Sequence, residues 1–361
     1  MLEINDIIIF LGFIFAFFLT AGFDGIKALK THKKLKITVI IPARDEAHNI
    51  SGILNDLQNQ DYDLHEIICV DDGSRDNTSE IAGSFGVKII QAGELPDGWK
   101  GKPWACHVGT QNASGDILLF IDADVRLSGD AISTLVSNFQ EKKSCVSVQP
   151  YHIMKKPYEQ LSLFFNYIEV MATGKGLPAN AEREGLFGPV FLISKKLFLE
   201  MGGYGAVKNE TVEDFTLGRK YAREGIDIRL FLGEGKISFR MYPKGIISLL
   251  EGWTKNFSTG AIRTKWWILI MIAVYIAAMT CIPIEIIKNA AAGNTIKLLY
   301  ACAAYIAYAL HLCFSSRRLG TFKLMSCLIY PAGLAAFHLI FIYSFISTFL
   351  LKTTTWKGRR L

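Results

Sequence analysis

The sequence has no CxxC pair, and its seven cysteines show no metal-ligand spacing. A zinc ribbon and a disulfide framework are both excluded. Cys69 and Cys145 sit in apolar strand-like runs, and Cys281, Cys302, Cys313 and Cys327 sit in long apolar segments. That is the pattern of buried, reduced thiols in a cytoplasm-facing protein. There is no internal repeat and no low-complexity linker, so neither a solenoid nor a tethered multidomain chain is expected. No GxGxxG follows the first strand-like run, which leaves a dinucleotide-binding fold unsupported. No basic residue precedes the N-terminal apolar run, so a secretory signal peptide fits poorly.

What is present is apolar surface. Half of the 361 residues are hydrophobic, and the mean hydropathy is +0.27. The excess lies at the two ends, while Lys36 to Lys255 has an ordinary globular mixture. Ile7 to Phe23 carries no charge between Asp6 and Asp24. It is near the shortest length that spans a bilayer as a helix, ~17 residues. Lys27, Lys30, Lys33, Lys34 and Lys36 follow it. The positive-inside rule sets that cluster, and the domain after it, in the cytoplasm of a multi-pass cell-membrane protein. Topology and anionic membrane lipid explain the cluster more simply than nucleic acid, so no nucleic-acid partner is expected.

Two further spans are predicted at Trp266–Ile282 and Leu298–Phe314. Arg263 and Lys265 precede the first, and Arg317 and Arg318 close the second, which sets the Asn289–Asn294 loop outside. The last apolar stretch, Leu324 to Leu351, contains Pro331 and Gly333 and reads as one kinked span or as a re-entrant pair. Its basic tail (Lys352, Lys357, Arg359, Arg360) belongs inside, which a single span would contradict. The organisation expected is an anchor over 1–26, a cytoplasmic domain over 36–260 and membrane helices over 261–361.

The middle alternates strand and helix. Lys36–Ile41 reads as a buried strand stopped by Pro42, Asn49–Gln60 as a helix, and Glu66–Val70 as a strand ending at Asp71-Asp72-Gly73-Ser74. Thr78–Phe85 is a helix, Val87–Ile90 a strand, Pro103–Asn112 a helix, and Asp116–Ile121 a strand ending at Asp122-Ala123-Asp124. The fold class is α/β, a doubly wound, mostly parallel sheet. Ligands of such sheets bind at strand carboxyl ends, where both acidic motifs fall.

Asp122 and Asp124 share a face in extended geometry. Two hard oxygen ligands there suit Mg²⁺ or Mn²⁺ with positions left for a diphosphate, and a plain turn is the bland reading. Asp71-Asp72 reads as a turn or as a hydrogen-bond acceptor for a nucleobase or ribose. Glu213-Asp214, after Thr211, reads as a helix N-terminus or as the seat of a general base. The stretch Leu161–Ile168 reads as core packing or as a surface lying on the membrane.

In order and spacing, these three acidic sites resemble the family 2 glycosyltransferases with the GT-A fold. Ile40-Ile-Pro-Ala-Arg-Asp-Glu46 is similar to that family's first-strand nucleotide loop. Gly101-Lys102, Ala105 and Gly109 are similar to its segment before the DxD, and Gly202-Gly203-Tyr204 to its acceptor-side turn. The likeness covers roughly Ile37 to Gly260. It implies a nucleotide-sugar donor held by Pro42, Ala43, Glu46, Asp71, Asp72, Lys102 and Asp122. It implies a metal at Asp122 and Asp124, a catalytic base at Asp214 with Glu213 as second candidate, and Gly203, Tyr204 and Trp253 on the acceptor side.

Leu95–Lys102, Met241–Gly245 and Glu251–Phe257, with the terminal apolar segments, resemble the bacterial carotenoid glycosyltransferases. Those enzymes glucosylate a C30 acid, 4,4′-diaponeurosporenoate. The resemblance implies UDP-glucose as donor, an apolar carotenoid or other lipid as acceptor, and inversion at the anomeric carbon. Hopanoid- and polyprenyl-phosphate-linked transferases share part of the pattern. Processive members carry Q/R-x-x-R-W, whereas Trp253-Thr-Lys-Asn256-Phe257 lacks the Arg-Trp pair, which implies a single transfer. A non-enzyme reading, nucleotide-sugar binding or transport, meets intact carboxylates and few ionisable residues in the spans, namely Glu285, His311 and His338.

Overall fold

A computed structural model of the chain describes residues 3–29, 34–139, 144–177, 185–210, 212–347, 351, 355–356 and 359–360. Lys30, Lys33, Thr211, Lys352 and Lys357 lie outside the described residues, as do the side chains of Lys255, Asn256, Phe257, Arg263, Arg359 and Arg360. The strands are β1 Ile37–Ala43, β2 Glu66–Asp71, β3 Lys88–Gln91, β4 Ile117–Ile121, β5 Val125–Leu127, β6 Ser144–Gln149, β7 Tyr151–His152, β8 Val190–Ser194, β9 Asp227–Leu232 and β10 Ile237–Phe239, with the short antiparallel pair β11 Thr355–Trp356 and β12 Arg359–Arg360 near the C-terminus. Seven form one sheet in the order β3-β2-β1-β4-β8-β6-β9, and β5-β10-β7 form a small second sheet. β3, β2, β1 and β4 are parallel neighbours. β8 is antiparallel to both β4 and β6, so the sheet is mixed on that side.

The composition of β1 explains its place. Five residues from Ile37 to Ile41 are β-branched and buried, as a strand covered on both faces requires. Val39 and Ile41 join Ile53, Leu54 and Leu57 of helix Ile50–Gln58 on one face. Ile40 points to the other face, under helix Gly101–Asn112. There a Cβ on Gly109 would stand 2.5 Å from Ile40 Cγ2, so glycine lets this helix lie directly on the sheet.

Pro42 does not stop β1, as the sequence suggests it should. The strand continues to Ala43, with Pro42 opposite Val70 and Ala43 opposite Asp71. On its other flank β1 pairs with β4 only as far as Ile40. The missing N–H therefore falls where β1 has a single neighbour, a position that tolerates proline. Helix Gly101–Asn112 likewise begins two residues ahead of the expected Pro103, because proline fits the first turn, where its N–H would be unused.

The chain divides into two units. One comprises Asp24–Ile153 and Arg183–Met241 and carries the seven- and three-stranded sheets; the other comprises Met1–Phe23, Met154–Glu182 and Tyr242–Leu361 and is mainly helical. Segments 154–182 and 242–260 thus join the helical unit, in contrast to the single 36–260 block expected from sequence.

In the helical unit, Trp266–Ala291 and Thr295–Ser316 are long and apolar enough to cross a membrane, with mean hydropathies of 2.3 and 1.6. Ile4–Thr20 and Tyr330–Phe345 are shorter apolar helices. Both long helices outrun the expected spans, which shrinks the Asn289–Asn294 loop to a turn at 292–294. Helix Ile4–Thr20 packs closely through Gly12, where a Cβ would lie 2.6 Å from Ala278 Cβ and 2.7 Å from the Tyr308 hydroxyl. The Leu324–Leu351 stretch is broken: helix Leu324–Leu328 ends at Ile329, and Pro331 sits in the first turn of the next. Leu163 to Ile168 are buried in helix Leu163–Ala172, so this stretch packs as core. Glu285 accepts hydrogen bonds from Asn5 (2.7 Å) and Asn289 (2.9 Å), and His311 Nε2 lies 3.1 Å from the Thr20 hydroxyl. These polar groups tie the apolar helices to one another.

Candidate active site

β1, β2 and β4 are parallel, so the loops after Ala43, Asp71 and Ile121 leave the sheet along one edge. The first two loops are laced together. The Asp72 N–H donates to the Ala43 carbonyl at 2.9 Å. Arg44 Nη1 donates to the Asp72 carbonyl at 3.2 Å and stands 3.6 Å from Asp72 Oδ2. Asp45 adopts φ 55°, which Asp tolerates better than most residues. This turn lets its N–H reach Ser74 Oγ (3.0 Å) while its carboxylate accepts the Arg75 N–H (2.8 Å). The Glu46 N–H donates to Thr78 Oγ1 at 2.9 Å, and Asn49 Nδ2 donates to the Glu46 carboxylate at 2.7 Å. Burial opposes ionisation of Asp71, but hydrogen bonds from Ser79, Ser74 and Gln91 outweigh it and hold the carboxyl below its usual range. Pro42 and Ala43 contribute backbone to this floor, with Ala43 buried.

The second part lies around Lys102. Its Nζ is 2.9 Å from Asp122 Oδ1 and 3.1 Å from Oδ2. It is also 3.7 Å from Asp214 Oδ2 and 3.3 Å from the Gly188 carbonyl. Burial alone would lower the Lys102 pKa; the carboxylates of Asp122, Asp214 and Glu213 outweigh it and hold the amine protonated, well above the lysine range. Asp214 and the buried Glu213 open helix Glu213–Arg223, where the macrodipole favours acidic groups.

Gly188 was not legible in the sequence as a site residue. Because β8 is antiparallel to β4, Val190 pairs with Ile121, and the lead-in Gly188-Pro189 arrives beside Asp122. The Asp122 N–H donates to the Pro189 carbonyl at 2.9 Å. A Cβ at Gly188 would lie 1.9 Å from Asp214 Oδ2, so the carboxylate rests directly on the glycine. The only sequence signal was a Gly-Pro pair ahead of the run Val190–Ser194.

The Asp124 carboxyl is pushed up to about 7, first by burial and then by the Asp122 and Glu46 carboxylates. The edge therefore crowds more negative charge than Lys102 offsets, which suits a divalent cation. Among the described residues no three or more His, Cys, Asp or Glu side chains converge to hold an ion. A pair of carboxylates completed by a ligand's own oxygens fits that count.

Of the residues expected on the acceptor side, Gly203 and Tyr204 lie in the sheet unit and Trp253 in the helical unit. Tyr204 follows the left-handed Gly202 (φ 83°) and Gly203 (φ 52°). It is fully buried in the sheet unit, its ring edge-on to Phe120 at 5.3 Å and to Phe198 at 5.5 Å. Trp253 belongs to the helical unit, stacked on Phe165 at 4.7 Å with its indole N–H 3.3 Å from Ser162 Oγ.

The family model described as Glycosyl transferase family 2 matches residues 38–191. The 4,4′-diaponeurosporenoate glycosyltransferase of Staphylococcus aureus strain USA300 is 34% identical over 344 residues, covering 91% of this chain and 88% of the relative. The protein of the same name from strain bovine RF122 / ET3-1 is 33% identical over 341 residues. Among solved structures, the mannosyltransferase PcManGT of Pyrobaculum calidifontis, in complex with GDP-Man and Mn²⁺, matches with a TM-score of 0.55 at 18% identity. That match covers 91% of this chain and 95% of PcManGT, a likeness of fold consistent with a GT-A α/β sheet. The chain therefore belongs to glycosyltransferase family 2 and is an enzyme, a glycosyltransferase.

Proposed function

We propose that the enzyme transfers glucose from UDP-glucose to the carboxyl group of an apolar C30 carotenoid acid of the 4,4′-diaponeurosporenoate kind, once per acceptor and with inversion. The observation that carries the reading is the Lys102 amine between Asp122 and Asp214, at 2.9 and 3.7 Å. It joins the group suited to a leaving diphosphate and the group suited to an incoming acceptor within one contact. The relatives' name supports the acceptor class. The apolar helices at both ends support a membrane enzyme fed by lipid, with the sheet unit on the cytoplasmic side where nucleotide sugars are made.

In this reading Pro42, Ala43, Glu46, Asp71 and Asp72 hold the nucleoside on the floor between β1 and β2. Asp122 and Asp124 would hold Mg²⁺ or Mn²⁺, whose charge stabilises the departing diphosphate. Lys102 offsets the same charge from the protein side. As the anomeric C–O bond to the diphosphate breaks, the acceptor oxygen bonds the opposite face of that carbon, and UDP leaves. A carboxylate acceptor is already ionised near neutral pH, so Asp214 orients it more than it deprotonates it. Tyr204 sets the turn beneath Phe120 and helps fix the β4 edge.

Membranes containing the protein, supplied with UDP-glucose and the carotenoid acid, should release UDP in step with acid added. UDP release that ignores the acid, or occurs only with a polyprenyl phosphate or a hopanoid alcohol, would replace the proposed acceptor.

A further inference from the structure

We infer that Lys102 is a built-in counter-cation that keeps a divalent ion out of the site until a nucleotide diphosphate arrives. The inference rests on the donor site proposed above. Lys102 stands in the first turn of helix Gly101–Asn112. A cation there opposes the helix macrodipole, so its place needs a reason outside the helix. The reason is at hand: its Nζ touches both Asp122 oxygens (2.9 and 3.1 Å), lies 3.7 Å from Asp214, and donates to the Gly188 carbonyl at 3.3 Å. Both oxygens of Asp122 are therefore occupied by one ammonium.

An ion entering alone must displace that ammonium from Asp122 and then sit beside it, two like charges a few ångströms apart in a half-buried site. A nucleotide diphosphate changes the balance. Its phosphate oxygens give Lys102 a new partner, the ammonium swings off Asp122, and Asp122 becomes free to bind the ion. The same swing releases Asp214 from its contact with Lys102. Before the donor arrives, both carboxylates contact one amine; afterwards neither does. Asp214 thus loses its contact with the ammonium only when donor is present. Lys102 acts here as a positioning residue as well as a partner for the leaving group.

The test is Mn²⁺ binding to the full-length protein in detergent, read from the electron paramagnetic resonance signal of the free ion. Wild-type protein should bind Mn²⁺ weakly alone and much more tightly with UDP. Lys102→Met removes the resident cation, so Mn²⁺ alone should bind at least about ten-fold tighter than to wild type. The tightening by UDP should shrink in this variant. Lys102→Gln should repeat the result if the methionine variant does not fold, and Lys102→Arg, which keeps the charge, should stay like wild type. If wild type shows UDP-dependent Mn²⁺ binding but the neutral variants gain nothing without nucleotide, the counter-cation role is overturned and the metal site stands. If wild type binds no Mn²⁺ even with UDP, the metal site itself falls, and this inference with it.

Discussion

Replacing Gly188 with alanine perturbs the site at one point whose consequence follows from distances. The new Cβ would lie 1.9 Å from Asp214 Oδ2 and 2.7 Å from its Cγ, where real Cβ contacts essentially never fall below 3.0 Å. The next atom, Lys102 Nζ, is 3.3 Å away and blocks one way out. The Asp214 carboxylate must therefore shift by roughly 1 Å, a misplacement that costs about 10²-fold in rate when it affects a reacting group. Crowding of this kind costs about 1–3 kcal/mol of stability, too little by itself to unfold a well-packed sheet. UDP affinity should change little, because the floor between β1 and β2 is untouched. The assay is UDP release at saturating donor, with UDP binding and a thermal melt measured on the same preparation. Gly83 supplies the control: nothing lies within 4 Å of its added Cβ, and it sits in helix Thr78–Ser84. Gly83→Ala should keep full turnover and gain roughly 0.5–1 kcal/mol. If Gly188→Ala turns over within a few-fold of wild type, Asp214 is not the group on which transfer depends.

Asp124→Asn should greatly lower turnover, and EDTA should do the same to wild type; full activity in either case removes the metal from the account. In Asp214→Asn a hydroxyl acceptor should lose ~10²–10⁴ in rate, whereas a carboxyl acceptor should lose less, without rescue at raised pH; equal losses that high pH restores would point to a true deprotonation. For Glu66, burial opposes ionisation, but hydrogen bonds from Thr38 and Ser114 outweigh it and hold the carboxyl down from 4.5 to about 2. A depressed acid stabilises the fold above its unfolded pKa, so this contribution should fade as pH falls from 4.5 towards 2; Glu66→Gln should show a flatter melting profile over that window, and parallel profiles would refute the link. A cysteine at the exposed position Asn77 should resist an impermeant thiol reagent in intact cells; ready labelling would put the sheet unit outside.

Legibility followed the range of the interactions. The alternation of Ile37–Ile41, Glu66–Val70 and Ile117–Ile121 with amphipathic helices reports burial within each segment, so strands and their acidic carboxyl ends were readable. The reversal of β8 was not, because a five-residue apolar strand carries no mark of its direction. That reversal is what delivers Gly188 to the edge. Pro42 misled for the same reason: local chemistry says stop, while the neighbouring strand decides whether an N–H is missed. Tyr204 and Trp253 match a family pattern by position, and each also packs on a ring far along the chain, Phe120 and Phe165, which the local sequence does not reveal. The helical unit gathers 154–182 with 242–361, a grouping set by packing rather than by any linker in the sequence.

The central claim is sugar transfer to an apolar acid, and the lipids of cells expressing the gene alongside a source of 4,4′-diaponeurosporenoate test it most directly. Extraction and mass analysis should find the acid carrying one hexose, joined by an ester that mild base cleaves, and the adduct should vanish with Asp124→Asn. An unmodified carotenoid pool in cells that hold folded wild-type protein, or a hexose found instead on a hopanoid or polyprenyl phosphate, would contradict the account.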